Sequence, residues 1–337
     1  MAGHARIEKI SLALTAGLLA VACTTHSEPE VPASVALTPG SIDTLIGAGD
    51  TVRLSAAALT SGGKTVRGVS FTWTSNNPGV AVVDANGLVT AVSNGTATIT
   101  AQSDGGLLGH ATFKSATLSA TLQTSLNYAV SSNIGNHPMA LTWNGSFYYG
   151  IWDGTSPGQI KRFDVNGILL DSTSVNLDPR DLEYSTADGK FYVKIYGQDW
   201  YRVDVSTGAA TLVFPGMFAN SQSSPAMSAD GLTVYEHESG TIRVLSAVTG
   251  QMLRQMTGFA TGVYPSTEGL AADGSHLFTW DGSIVYMYDL QGRLITQFTV
   301  PSGNFGFSLS YAKGLLWTST DVSSGTGTWY GYRLVRQ

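Results

Sequence analysis

Apolar and polar residues alternate in short runs along most of this chain, and turn residues interrupt nearly every run. Thr51 to Ala56 is one such run, and Val69 to Thr74 is another, with Val69, Phe71 and Trp73 on one face. Asn76-Asn77-Pro78 breaks the second run. Val80 to Val83 then leads into Asn86-Gly87, a pair suited to closing a hairpin, and Leu88 to Val92 returns to a second turn at Asn94-Gly95. Thr96 to Ala101 places Ala97, Ile99 and Ala101 on one side. Strand-length alternation punctuated this closely, over roughly residues 31–115, predicts about seven short strands in a two-sheet sandwich.

Beyond about residue 117 the pattern becomes a repeat. Turn glycines recur at Gly145, Gly189, Gly231, Gly274 and Gly314, at spacings of 44, 42, 43 and 40 residues. A second glycine follows each of the first four after about half a period: Gly167, Gly208, Gly250 and Gly292. Aromatic-rich runs come after the first anchor, as in Phe147-Tyr148-Tyr149, Phe191-Tyr192-Val193 and Leu277-Phe278-Thr279-Trp280. A period near 42 with strand patterning and no helical run predicts four-stranded blades. Five repeats are present, and the fifth lacks its outer strand. Leu118 to Val130, lying upstream of the first repeat, is predicted to supply it and so to close a five-bladed ring. The fold class expected is therefore all-β, a sandwich at 33–116 followed by a propeller at 117–337.

Composition narrows the function classes. Charged residues are 12% of the 337, about half the usual share, and glycine is high at 39. A 43% hydrophobic content excludes wholesale disorder, and a net charge of −6 argues against an electrostatic grip on nucleic acid.

The start of the chain reads as a targeting segment over 1–22. Arg6 and Lys9 precede an apolar stretch, Ile10 to Ala22, that is short for a membrane span. It ends in Leu19-Ala20-Val21-Ala22-Cys23, which resembles the lipobox of bacterial lipoproteins. That resemblance implies a lipidated Cys23 as mature N-terminus and a membrane anchor, with Thr24 after it favouring the outer membrane. Ala20 and Glu8 depart from the commonest pattern. Cys23 is the single cysteine, so the remainder can form neither a disulfide nor a thiolate metal cluster. Residues 23–32 are polar, carry two prolines, and read as a tether.

Two further resemblances concern the folded parts. Trp73-Thr74-Ser75-Asn76-Asn77-Pro78, Val80-Ala81-Val82-Val83-Asp84, Asn86-Gly87-Leu88-Val89-Thr90-Ala91 and Gly95 to Ala101 look like the group 2 bacterial immunoglobulin-like domain. This implies exposure outside the cell and a spacer role, with Trp73 packed between sheets. In the repeat region, Val203-Asp204-Val205-Ser206-Thr207-Gly208 and Tyr288-Asp289-Leu290-Gln291-Gly292 are similar to quinoprotein-like and YVTN-type propellers, whose pattern is structural and names no ligand. Pro265 to Leu270 followed by Asp273-Gly274 faintly resembles one blade of five-bladed glutaminyl cyclases, over too few residues to carry an activity.

Most catalytic templates fail on inspection. Gly306-Phe307-Ser308-Leu309-Ser310 lacks the final glycine of a nucleophile elbow. Phosphate-binding and dinucleotide motifs are missing, and no two histidines have i, i+4 spacing. No cofactor is implied. Two constellations remain. The segments entering each blade gather His137, Asp178, Arg180, Asp181, Glu183 and Glu268 near the expected channel rim. Glu183 and Glu268 each lie six residues before a turn glycine and would suit general acid–base work if they faced one cavity, whereas a plain ion pair of Arg180 with Asp181 or Glu183 would be structural. The second is Trp152-Asp153-Gly154 and Trp280-Asp281-Gly282 at equivalent places, suited to sugar stacking with hydrogen bonding or else to packing between blades. The expected function is a lipid-anchored surface protein whose propeller binds protein or glycan. The alternative is an exported hydrolase or lyase using Glu183 and Glu268.

Overall fold

A computed structural model describes residues 30–43, 48–130, 137–153, 156–261, 269–303, 306–320 and 325–337. Among them, strands dominate and the one helical element is a single 3-10 turn at Gly306–Ser308. No helix of the described residues is long and apolar enough to cross a membrane.

The N-terminal unit is built from three small sheets. Gly95–Ser103 and Leu108–Ser115 form its longest hairpin, flanked by Phe71–Ser75 and, in parallel, by Ser41–Asp43. The run expected as one strand over Thr51 to Ala56 divides instead. Thr51–Arg53 pairs with Leu88–Ala91, whereas Ser55–Leu59 pairs with Ser34–Thr38. Leu54 marks the break: its side chain is buried in the core with Val89, Ile99 and Phe113, and its amide bonds to the Gly87 carbonyl at 2.8 Å. Burying Leu54 directs the chain from one sheet to another, which alternation alone does not reveal. The Trp73 ring is partly buried against this core.

The remainder contains five four-stranded antiparallel sheets. Four are consecutive in sequence, opening with His137–Trp143, Pro179–Ser185, Ala226–Met227 and Leu270–Ala272. The fifth runs Ser310–Ala312, Leu315–Ser319, Gly325–Arg336 and then Leu118–Val130, so its outermost strand comes from upstream of the first sheet. That last ladder extends from Leu118 opposite Arg336 to Val130 opposite Gly325, with one irregularity between Leu122 and Thr124. First strands pack in succession from sheet to sheet, and Ser310–Ala312 of the fifth packs back on His137–Trp143 of the first.

The inner strands of these sheets are buried on both faces by neighbouring sheets, whereas outermost strands such as Leu169–Val175 and Met252–Thr257 are largely exposed. Tyr149 and Ile151 of the first sheet share a core with Leu182, Phe191 and Val193 of the second. Trp200 of the second packs with Met227, Val234 and Leu245 of the third. Trp317 and Trp329 of the fifth pack with Leu141, Tyr148 and Trp152 of the first. A sheet that buries both faces must be apolar on both, so its strands read as near-continuous hydrophobic runs. Close approach is visible at Gly150, where an added Cβ would lie 2.5 Å from the Trp329 ring.

Candidate functional site

The charged residues singled out in the sequence converge where the second and third sheets meet. Pro179–Ser185 is the first strand of the second sheet, and strand alternation puts Asp181 and Glu183 on one face of it. Lys194 stands opposite Asp181 on the adjacent strand, Lys190–Ile195. Both Asp181 and Lys194 are buried, at 1% and 0% exposure. Asp181 Oδ1 accepts a hydrogen bond from the Ser224 hydroxyl at 3.2 Å, while its Oδ2 is buried with no hydrogen-bond partner among the described residues. Glu183 Oε1 accepts from the Met227 amide at 3.0 Å. Lys194 Nζ donates to the Ser221 carbonyl at 2.6 Å.

The bonds to Ser224 and Ser221 terminate on the connection between the sheets, roughly residues 216–225, and more arrive from the other side. Glu236, on the second strand of the third sheet, is fully buried and accepts from the amides of Ala219 and Asn220 at 3.0 and 2.9 Å and from the Ser223 hydroxyl at 3.1 Å. Arg243 pairs with it at 2.6 Å. Arg180 chelates Asp178, with Nη2 to Oδ2 at 3.2 Å, donates from Nε to Gln222 at 2.9 Å, and lies over the Tyr196 ring at 5.1 Å. The connection is thus clamped by one cation and one anion from within and by an arginine at its edge.

Electrostatics follow from this burial. Desolvation pushes the Asp181 carboxyl up to about 7, against the opposing pull of Ser224 and Lys194. Glu183 is raised well above its ordinary value by desolvation and by the neighbouring Asp181. Desolvation brings the Lys194 ammonium down to about 7, although Glu236 favours its charge. His237, next along from Glu236, is 1% exposed and lowered to about 4 by burial.

The other residues from the sequence reading take these places. His137 begins the first sheet, partly buried, with its backbone opposite Asp153. Asp153 enters the description through its backbone alone. Glu268 and Cys23 lie outside the described residues, so the pairing expected of Glu183 with Glu268 has only one described member. Trp152 and Trp280 are buried, each 4% exposed. Trp152 packs edge-on against Trp329 at 6.3 Å, and Trp280 sits with Val285, Met287 and Phe298. Rings covered on both sides have no face left for a sugar to stack on, so packing between sheets is the role the geometry gives them. Asp281 caps a turn, accepting from the amides of Ser283 and Ile284 and from the Tyr286 hydroxyl.

Lys194, Ser224, Glu236 and Arg243 were missed from the sequence. A signal existed for two of them. Lys194 interrupts the apolar run Phe191-Tyr192-Val193-Lys194-Ile195, and Glu236-His237 sits within a strand that is otherwise core. Charge inside a doubly buried strand demands a partner. Among the described residues, no group of three or more histidine, cysteine or acidic side chains is arranged to hold a metal ion.

Comparison with known proteins bears mainly on the N-terminal unit. No curated protein matches the chain. Among solved structures, the chain is similar to a structural genomics protein of unknown function from Bacteroides thetaiotaomicron VPI-5482, at 10% identity and a TM-score of 0.40, over 91% of this chain and 99% of that one. Residues 33–109 match the family model of the bacterial Ig-like domain (group 2), which identifies the N-terminal unit of this all-β protein as an immunoglobulin-like domain.

Proposed function

We propose that the five sheets are the blades of a five-bladed propeller, and that this propeller is the binding module of an exported surface protein. Its ligand is a protein or a glycan, the immunoglobulin-like domain is a spacer, and a lipid on Cys23 is the anchor. The cyclic order in which the first strands pack, with the fifth meeting the first, supports the ring. The Leu118–Val130 ladder supports its closure by a borrowed strand. Export is supported by the family match, since group 2 immunoglobulin-like domains occur in extracellular bacterial proteins, and by the small residues before Cys23.

The observation that carries binding over catalysis is the hydrogen bond from the Met227 amide to Glu183. General acid–base work needs a carboxyl within reach of a substrate atom. Glu183 instead joins two sheets, and Asp181 beside it is buried and bonded to Ser224. A hydrolase or lyase would have to break the seam to use either.

Glycan and peptide arrays probed with the full chain test the reading. Saturable binding that persists in Glu183→Gln supports it. Silence on both arrays, or turnover by the native chain that Glu183→Gln abolishes, overturns it. The anchor is tested by fatty-acid labelling in a bacterial host, where Cys23→Ser should lose the label, and a retained label rules the anchor out.

A further inference from the structure

The immunoglobulin-like unit and the five sheets meet at Thr117, and an antiparallel ladder ends on either side of it. In the first unit, Gly95–Ser103 pairs with Leu108–Ser115, and the last pair sets Gly95 opposite Ser115. In the fifth sheet, Leu118–Val130 pairs with Gly325–Arg336, and the first pair sets Leu118 opposite Arg336. Thr117 is bonded to the residue just beyond the end of each ladder. Its hydroxyl accepts from Asn94 Nδ2 at 2.9 Å, and its carbonyl accepts from the Gln337 amide at 2.9 Å. One residue thus carries a bond into each unit.

The junction is built unlike a flexible linker. Segments that join independent domains are exposed and rich in Pro, Gly or polar residues. Here only Ala116 and Thr117 separate the two strands, and neither is Gly or Pro. Ser115 and Ala116 are buried, at 3% and 5% exposure, and Thr117 is half-buried. Leu118 then enters the core that holds Phe278 and Trp280 of the fourth sheet. Leu126, farther along the same strand, enters the core that holds Trp152 and Phe163 of the first. The strand that leaves the immunoglobulin-like unit is therefore the one that ties three sheets together.

Such a strand needs holding. Ser119 and Val335 stand opposite each other although 216 residues apart, and closing so long a loop costs conformational entropy that no local turn offsets. The end of a ladder is also where a sheet opens first. We propose that the immunoglobulin-like domain is the clasp of the fifth sheet. Through Asn94 and the buried Ser115-Ala116 junction it holds the start of Leu118–Val130 in register on Gly325–Arg336. That task goes beyond spacing. It requires no ligand, no anchor and no closure of the ring, because the pairing it protects lies within one sheet.

Hydrogen exchange of the full chain, held in detergent and read by mass spectrometry, tests the clasp. Asn94 is exposed, so Asn94→Ala leaves both cores intact, while Thr117→Val removes the hydroxyl and keeps the shape. Each should speed exchange at 118–122 and 332–336 several-fold. The double variant should be no faster than the faster single one, since both changes remove the same bond. A flexible insertion of about six Gly and Ser residues between Ala116 and Thr117 should speed the same amides tenfold or more. Exchange in Phe71–Ser75 of the first unit and Thr233–Glu238 of the third sheet should stay native, which separates a lost clasp from a misfolded chain. Native rates at 118–122 and 332–336 in the insertion variant overturn the clasp. So do additive effects of Asn94→Ala and Thr117→Val, or equal acceleration in the third sheet. A failed clasp would leave the binding-module reading intact, and silence on the arrays would leave the clasp intact.

Discussion

Glu183 and Met227 join the second and third sheets by a bond in which a side chain of one first strand takes the backbone amide of the next, at 3.0 Å. The same device recurs around the molecule. Tyr184 donates its amide to Thr142 Oγ1 at 3.2 Å between the first and second sheets, and Leu141 donates to Ser310 Oγ at 3.1 Å between the first and fifth. Backbone amides at such seams have no ladder partner, and a buried amide left unbonded is costly. A short polar side chain on the preceding strand is the local remedy. Glu183 serves a position that elsewhere takes a hydroxyl.

Glu183 should therefore tolerate loss of its acidity but not loss of its carbonyl. Glu183→Gln keeps an acceptor of the same reach, and its urea midpoint should stay near that of the native chain. Glu183→Ala strands the Met227 amide and should cost about 1–3 kcal/mol. Equal midpoints for the two variants would show that the bond contributes nothing.

Asp181 and Lys194 give opposite pH dependences. The Asp181 carboxyl is raised by burial, so the native state holds a proton that the unfolded chain releases. Its contribution is complete below about pH 4 and is lost as pH rises through about 7. Lys194 is depressed by burial, so its contribution is present above its ordinary range and is lost as pH falls through about 7. Thermal melts from pH 4 to 10 should show Asp181→Asn removing a decline on the acid side of neutrality, and Lys194→Met removing a rise on the basic side. Profiles parallel to the native one would contradict the assignment.

Leu126 faces Trp329 across the ladder that completes the fifth sheet, and both are fully buried. Trp329 also donates from its indole to the Met139 carbonyl at 2.6 Å, tying that sheet to the first. Leu126→Ala should destabilise by about 2–5 kcal/mol through the cavity it leaves. Gly150→Ala, which sets a methyl against the same indole, should cost about 1–3 kcal/mol by overpacking. Denaturant unfolding measures both, and a silent Gly150→Ala would mean that the ring can move aside.

Arg180 should act on the connection at 216–225 rather than on overall stability. Its bonds to Asp178 and Gln222 and its place over Tyr196 all lie at one edge. Arg180→Gln should speed hydrogen exchange at residues 216–225 several-fold, with little change in the first or fourth sheet. Uniform exchange across the molecule, or none faster than native, would exclude the clamp.

Much of this fold is legible in the sequence because its causes are local. Turn glycines, strand alternation and the Asn-Gly hairpins of the first unit act over a few residues, and the period near 42 follows from repeating them. Even the long-range pairing of Leu118–Val130 with Gly325–Arg336 could be anticipated, since the fifth repeat is one strand short and the upstream segment is otherwise unassigned. The division of Thr51 to Ala56 between two sheets could not, because Leu54 alternates like its neighbours and its burial with Val89, Ile99 and Phe113 is set by tertiary packing.

The site residues divide along the same line. Arg180, Asp181 and Glu183 stood out as charges in a poorly charged chain, but Gln222, Ser224 and Met227, which they bond, lie some 40 residues away on the connection to the third sheet or on its first strand. On inner strands covered from both sides, such as Pro179–Ser185 and Thr233–Glu238, alternation no longer reports which face meets water. Trp152 and Trp280, which the sequence left open between sugar stacking and packing, are buried rings, while Lys194 and Glu236, marked only as charges inside apolar runs, hold the connection between sheets. Sequence determined the strands, their turns and their repetition. Tertiary structure alone decided which charges are enclosed and which, like Lys190 and Arg202, are exposed, because enclosure depends on how neighbouring sheets pack and not on the order of residues within one.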